Sequence, residues 1–392
     1  MISIPTELEE TRAAALLAVS PIRAADDTTK ADAKFLFNAQ RTQAGETLPA
    51  YFLVYFLLVD LLGFPNLGKF EKIAWSVPID FNGRAFLIEH RKFGVGVFAH
   101  DASAEEDQAR QIVALISSGV KVAGPFFEWL ADRAAREGQL NVANRSRELY
   151  DRFEFFLAAH RRMAVEAGER ARERRIEKRE IKGGTLEIFH EPARELRRNA
   201  RWLALATIDA FFSWTEHVFI HLAIITGAVT SGLEVAKLAE SDWQTKFKQA
   251  LDLKDPRTKS LFDDLVVIRR QLRNFLAHGA FGKRGEAFDF HSGAGAAPLL
   301  LPHQADKPRF ALTDELAFED AAAINVILGF IDHLWSGCRE PARQYIQESE
   351  LPLILTMAKD GSYGRAMRSV EDMEKLVEQL SYEWDRSVNM DW

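Results

Sequence analysis

Apolar residues along this chain recur mainly at three- and four-residue spacing, so helices dominate the expected structure. The clearest pattern covers 259–278. Leu261, Leu265, Ile268, Leu272 and Phe275 or Leu276 line one face. Arg270, Asn274 and His278 stand at i, i+4 and i+8 and make a polar stripe beside that face, with Arg273 on its flank. Gly279 occupies a C-cap glycine position, which puts His278 in the last turn. Similar spacing predicts helices over 7–19, 50–62, 193–226, 242–251 and 373–384. The 50–62 segment follows Pro49, stops at Gly63 and is apolar nearly all round, as a central helix of a domain should be. Thr313-Asp314-Glu315 can cap a last bundle helix over 312–338, whose face carries Ile324, Ile327, Ile331 and Leu334.

Period-two alternation is convincing in one region, 73–99. Two runs, 75–81 and 84–90, flank Asn82-Gly83, which is the sequence of a two-residue hairpin turn. Pro78 lacks a ladder donor and suggests that the first strand lies at an edge. A third strand, 95–99, comes after the turn at Phe93-Gly94. Ser103-Ala104-Glu105-Glu106 has capping-box spacing and opens a helix to about 117; a second helix spans 125–136. Residues 1–140 therefore read as a small α+β domain with a short antiparallel sheet.

Residues 141–192 read as a long charged connecting helix, with a helical pattern over 140–182. Leu149, Phe153, Phe156 and Leu157 give its first half a face to pack. From Arg161 to Lys182 it carries nine Arg or Lys against five Glu, with Glu166 and Arg170 one turn apart, before Gly183-Gly184 ends it. Two readings fit: a solvated connector, or a basic arm near RNA. A helical bundle over 193–346 and a helical tail over 347–392 complete a mainly α chain. Between the bundle helices, 281–308 is rich in Gly, Ala and Pro and reads as a long loop or small hairpin beside the 259–278 helix.

Composition narrows the function classes. With 392 residues, 47% hydrophobic and 27% charged, the chain has the make-up of a folded protein of two or three domains. A net charge of −7 excludes a globally basic nucleic-acid coat, so any RNA contact needs a local patch. The single cysteine, Cys338, cannot form an intrachain disulfide, which fits a reducing cytoplasm. The N-terminus lacks the basic start and apolar core of a signal peptide. The apolar stretch 202–226 is long enough for a membrane span, but Asp209, Glu216, His217 and His221 interrupt it, so a buried bundle helix is expected and no membrane partner.

The element Arg273-Asn274-Phe275-Leu276-Ala277-His278, closing an amphipathic helix, resembles the Arg-Asn-x-x-x-His signature of HEPN domains. The resemblance covers roughly residues 200–345 and does not extend to the N-terminal part. It implies an all-α bundle that dimerises. In many HEPN members the Arg and His of two subunits meet in a cleft and cut RNA without a metal; others keep the fold without nuclease activity. For this chain the resemblance implies an endoribonuclease with RNA as substrate, a homodimer, no cofactor and no metal. The implied setting is prokaryotic stress response, toxin–antitoxin pairing or anti-phage defence, with an antitoxin or regulatory partner.

The residues suit that chemistry. His278 can act as acid or base near neutral pH. Arg273 can hold phosphate with a fixed fork of donors and stabilise developing charge. Asn274 can orient the imidazole or the phosphate. Arg269 and Arg270 can face phosphate or pair on the surface, and Glu216 can bridge to Arg273 and hold it. The plainer alternative is a non-catalytic binding or dimerisation module in which His278 caps the helix carbonyls. His217 and His221, at i and i+4, have a metal-binding spacing but no third ligand in pattern, so packing is expected. Asp80, Glu89 and Lys92 carry the residue types of a metal nuclease. Two residues separate Glu89 from Lys92, however, which puts them on opposite faces of a strand.

Overall fold

The structure is a computed structural model that describes residues 4–31, 34–181, 184–278, 288–293, 295–299 and 320–390. It is mainly helical, with a small five-stranded antiparallel sheet in the N-terminal region. The chain forms two compact units, Met1–Glu137 with Glu378–Trp392, and Gly138–Val377.

In the first unit, α1 (Glu9–Val19) leads to β1 (Arg23–Ala24), and α2 (Phe35–Asn38) leads to β2 (Gln40–Arg41). Helix α3 (Tyr51–Tyr55) continues as π-helical turns over Phe56–Leu61. Strands β3 (Ile73–Phe81), β4 (Arg84–Arg91) and β5 (Gly94–Ala99) come next, then α4 (Glu106–Val122) and α5 (Gly124–Glu137). The sheet order is β1-β3-β4-β5-β2. Asn82 and Gly83 both take positive φ, 54° and 79°, as a type I′ turn requires, and Phe81 faces Arg84 across it. Trp75, Val77, Ile79 and Phe81 share a face with Phe86, Ile88, Val97 and Ala99, and all are buried with Val54, Leu57, Leu61, Ile112 and Ile116. On the opposite face Phe35 and Ala39 close a smaller cluster over Ala85, Leu87 and Phe98.

Strand β3 is not an edge over its whole length, because β1 pairs outside it through Arg23 and Asp80. The Pro78 carbonyl accepts from the Ala25 N–H at 3.3 Å, so its donor-free side meets only the end of β1. Helix α4 begins at Glu106 rather than at Ser103. Asp101 Oδ1 accepts the N–H groups of Ser103 and Ala104, and Glu106 reaches away to the N–H groups of Gln43 and Ala44 at 3.0 and 2.7 Å.

The second unit is built on two long helices, α6 (Ser146–Glu169) and α7 (Pro192–Ile225). They run antiparallel: Phe153 meets Phe211, and His160 Nδ1 lies 2.9 Å from the Ala200 carbonyl. Helices α8 (Gly232–Glu240), α9 (Trp243–Ala250), α10 (Pro256–His278) and α11 (Asp320–Leu334) come after them. Then come α12 (Glu340–Arg343), α13 (Leu355–Lys359), α14 (Ser362–Ala366) and α15 (Val370–Asn389), whose residues from Glu378 belong with the first unit. The core is aromatic: Phe211, Trp214, Phe219, Trp243, Phe247 and Phe330 are fully buried. Phe247 lies 4.9 Å from Phe262 and 5.6 Å from Phe330, so one ring joins α9 to α10 and α11. Phe211, Phe212, Trp214 and Phe219 are thus core residues.

The charged helix over 140–182 stops early. After Glu169 a turn leads to a hairpin, β7 (Arg175–Ile181) and β8 (Gly184–His190), with Arg175 opposite His190. Ile176, Ile181, Thr185 and Ile188 favour extended backbone. The ion pair Arg179–Glu177 joins residues two apart within β7, which share a face in a strand and not in a helix. Lys178 bonds Glu187 across the strands at 2.7 Å. Helix α8, absent from the sequence expectation, has a full capping box between Ser231 and Glu234. Of 281–308, the described residues form an antiparallel hairpin, β9 (Phe288–Ser292) and β10 (Gly295–Leu299). Strand β6 (Asn141–Val142) pairs with β11 (Leu353–Ile354). The cap at Thr313-Asp314-Glu315 and the glycine at Gly279 lie outside the described residues.

By length and composition, α7 is the one helix among the described residues able to cross a membrane, or one of up to three if bent pairs count as spans. The fold buries 72% of its most apolar window.

The turn Ala44–Thr47 sits so close to β5 that a Cβ on Gly45 would lie 2.4 Å from the Val97 backbone nitrogen. Gly45→Ala is expected to lower unfolding free energy by about 2 kcal/mol, since backbone and not a pliable side chain must move. A denaturant melt checks this, with Gly124→Ala, where a Cβ meets open space, as the reference.

Candidate functional site

Helix α10 carries the motif, and its start is built firmly. Asp255 caps it: one carboxylate oxygen accepts the Thr258 N–H at 2.9 Å and the Thr258 hydroxyl at 2.6 Å. Pro256 takes the first helical position, where no donor is needed. Thr258 Oγ1 also lies 2.8 Å from His333 Nε2 of α11, which ties the capped end to the neighbouring helix. The Thr258 hydrogen bonds hold the Asp255 carboxyl below the usual carboxylate range. Of the apolar stripe expected from spacing, Leu265, Ile268 and Leu272 are buried and face the core, while Leu261 is half-buried and Phe262, outside that stripe, is buried beside it.

Helical backbone continues without a break through His278. At 100° per residue, Arg270, Asn274 and His278 succeed one another up a single face. Arg273 stands about 140° round the axis from His278. The side chains of Arg273, Asn274 and His278 lie outside the described residues. Arg270, one turn before Asn274, is exposed.

One turn before Arg273 the electrostatics are well defined. Glu216 of α7 accepts from Arg269 Nη2 at 2.8 Å with one oxygen and from Lys246 Nζ at 2.9 Å with the other. The bridge from Glu216 to Arg273 expected from the sequence lies outside the described residues. Arg269 also lies over the rings of Phe212 and Trp243, at 5.5 and 5.6 Å. Its Nη1 is buried and has no hydrogen-bond partner among the described residues. Burial opposes ionisation of Glu216, but the hydrogen bonds and charges of Lys246 and Arg269 outweigh it and hold the carboxyl below its ordinary range. Lys246, only 5% exposed, is the residue that pattern reading passed over. A signal was there: it lies on the Trp243–Phe247 side of a short helix, and a lysine among core rings needs an acid.

The other candidate groups do not form sites. His217 Nε2 accepts the Arg145 N–H at 2.9 Å, and His221 Nδ1 lies 2.8 Å from the His217 carbonyl. Burial, with smaller contributions from His221 and Arg145, pushes His217 down to about 3. Burial pushes His221 down to about 4 against the pull of two carbonyls. Both are neutral packed histidines, and no group of three potential metal ligands converges among the described residues. Asp80 and Glu89 share a sheet face, but Asp80 faces Ala85 and Glu89 faces Ser76. Four residues of strand, about 13 Å, separate them, too far to share a metal. Asp80 is held by Arg23, and Glu89 by Ser76 and Arg91.

Removing the Glu216 carboxylate leaves a buried ammonium without its acid. Glu216→Ala is expected to cost about 2 kcal/mol, less than for a fully buried pair because Glu216 is a third exposed. Adding Lys246→Met should recover part of that loss in a denaturant melt. The histidines give a pH signature. Their folded pKa values lie below the unfolded 6.5, so the unfolded chain binds more protons and stability falls as pH drops from 6.5 towards about 4. His217→Gln should flatten that slope of melting temperature against pH.

In comparisons with known protein families, curated proteins and solved structures, the chain matches none of them.

Proposed function

We propose that the Gly138–Val377 unit is a metal-independent endoribonuclease of HEPN type, acting as a homodimer. The observation that carries the reading is the Arg273-Asn274-x-x-x-His278 element, which closes one continuous helix anchored at its start by Asp255, Thr258 and His333. A helix pinned at its capped end and along its buried face presents its last turns at a fixed height, as a phosphodiester requires.

In this reading the ribose 2′-oxygen attacks the adjacent phosphorus, and the P–O2′ bond forms as the P–O5′ bond breaks. One His278 removes the 2′-OH proton. A second His278, from the partner copy, gives a proton to the leaving 5′-oxygen. The products are a 2′,3′-cyclic phosphate and a 5′-hydroxyl end. Arg273 stabilises the charge that develops on the phosphoryl oxygens, and Asn274 orients the imidazole or the phosphate. A role in stress response or phage defence, with the N-terminal unit sensing a trigger or restraining cleavage, belongs to the same proposal.

The test is cleavage of end-labelled RNA by the full chain in EDTA. His278→Ala should lower the rate by about 100-fold or more with an unchanged melting temperature, and Arg273→Ala should do likewise. Cleavage that EDTA abolishes, or that survives both substitutions, would sink the proposal. A folded protein that cuts no RNA would leave the bundle as a binding or dimerisation module.

A further inference from the structure

Residues 161–201 hold 13 Arg and Lys against 8 Asp and Glu. The segment carries +5 in a chain whose total is −7, so the remaining residues carry −12. It comprises the far end of α6, the β7–β8 hairpin and the first turns of α7. His160 meets Ala200, so Arg161 and Arg162 lie level with the Arg197–Trp202 turns, and the hairpin closes the same end.

Ion pairs inside this arm decide where its surplus charge sits. Glu166 and Glu173 hold Arg170, Glu173 also holds Arg175, and Glu177 holds Arg179. Glu187 holds Lys178, and Glu195 lies 3.6 Å from Arg198. The hairpin is thereby close to self-neutralised. Arg161, Arg162, Arg172, Arg194 and Arg197 are exposed, and none has an acidic partner among the described residues. Trp202 is 59% exposed beneath the Arg198 guanidinium, and Phe155 is 65% exposed on α6.

We infer that this helical arm is a binding surface for single-stranded RNA, separate from the Arg273–His278 end of α10. The choice of RNA rests on the ribonuclease proposal; the choice of a flexible polyanion with stackable faces rests on the arm itself. Unpaired guanidinium groups replace counterions on phosphates, and exposed aromatic rings accept bases. An anionic lipid surface fits less well. The apolar residues of the hairpin, Ile176 and Leu186, sit beside Glu177 and Glu187, which would have to enter a layer of like charge.

The test uses the full chain in EDTA with a fluorescein-labelled, unstructured RNA oligonucleotide, read by anisotropy over a salt series. The His278→Ala background separates binding from cleavage. The quadruple variant Arg161→Ala, Arg162→Ala, Arg194→Ala and Arg197→Ala should bind at least about ten-fold more weakly. Its log K against log salt should flatten by up to about 3, four contacts at about 0.7 each. Trp202→Ala should weaken binding at every salt concentration without changing the slope. Circular dichroism guards against misfolding, and the single variant Arg194→Ala repeats the slope measurement with minimal disturbance. Equal binding by wild type and the quadruple variant overturns the inference, and so does binding to phosphatidylserine vesicles in place of RNA. A wild-type chain that cuts no RNA, yet binds it through these arginines, removes the nuclease proposal and keeps the arm. A chain that cuts RNA equally well with and without them does the reverse.

Discussion

The second unit answers to one constraint: a 34-residue helix, α7, with more apolar surface than water tolerates. Eighteen of its residues are buried, from Ala193 to Ile225, so neighbours must cover it on several sides. Helix α6 covers one side along most of its own length. Helices α9 and α11 cover others through Trp243 and Phe330, and α10 reaches α7 through Arg269, which meets Phe212 and Glu216. Where α7 carries polar groups inside this wrapping, each is answered. Thr215 accepts from the Trp243 indole, and Glu216 takes two cations. His217 and His221 stay neutral and bond to backbone.

The motif helix is held by the same covering. Its position depends on the Trp243 and Phe247 rings packed on Phe262, on the burial of Leu265 and Ile268, and on a charged contact at Arg269. The Arg269 guanidinium is planar, so it can lie on Phe212 and Trp243 while donating to Glu216. A lysine there would keep the charge and lose the stacking. Arg269 therefore serves first to fix the helix, and its buried Nη1 has no hydrogen-bond partner among the described residues.

The N-terminal unit obeys a different logic. Its sheet has one face in a large apolar core and another that carries Ser76, Asp80 and Glu89, all buried and each with a partner. Acids in a strand invite a catalytic reading. Here their partners lie within the same small sheet, and their spacing along it is set by ladder register. They hold strands together.

Much of the architecture was legible from local chemistry. Asn82-Gly83 specifies a turn with two positive φ values, and few other dipeptides do so cheaply. The 3.6 period of Leu265, Ile268 and Leu272 specifies which side of α10 is dry. What local chemistry left open, tertiary structure decided. The stretch after Glu169 has a charge pattern compatible with helix or strand, and pairing with 184–190 settled it. From sequence, Glu216 suggested only a bridge to Arg273; packing of α7 on α9 and α10 brings Arg269 and Lys246 to it. Periodicity reports which side of an element is buried because burial is a property of that element alone. Partner choice between side chains of different elements depends on the height and rotation at which the helices dock, and those are set by the whole core at once.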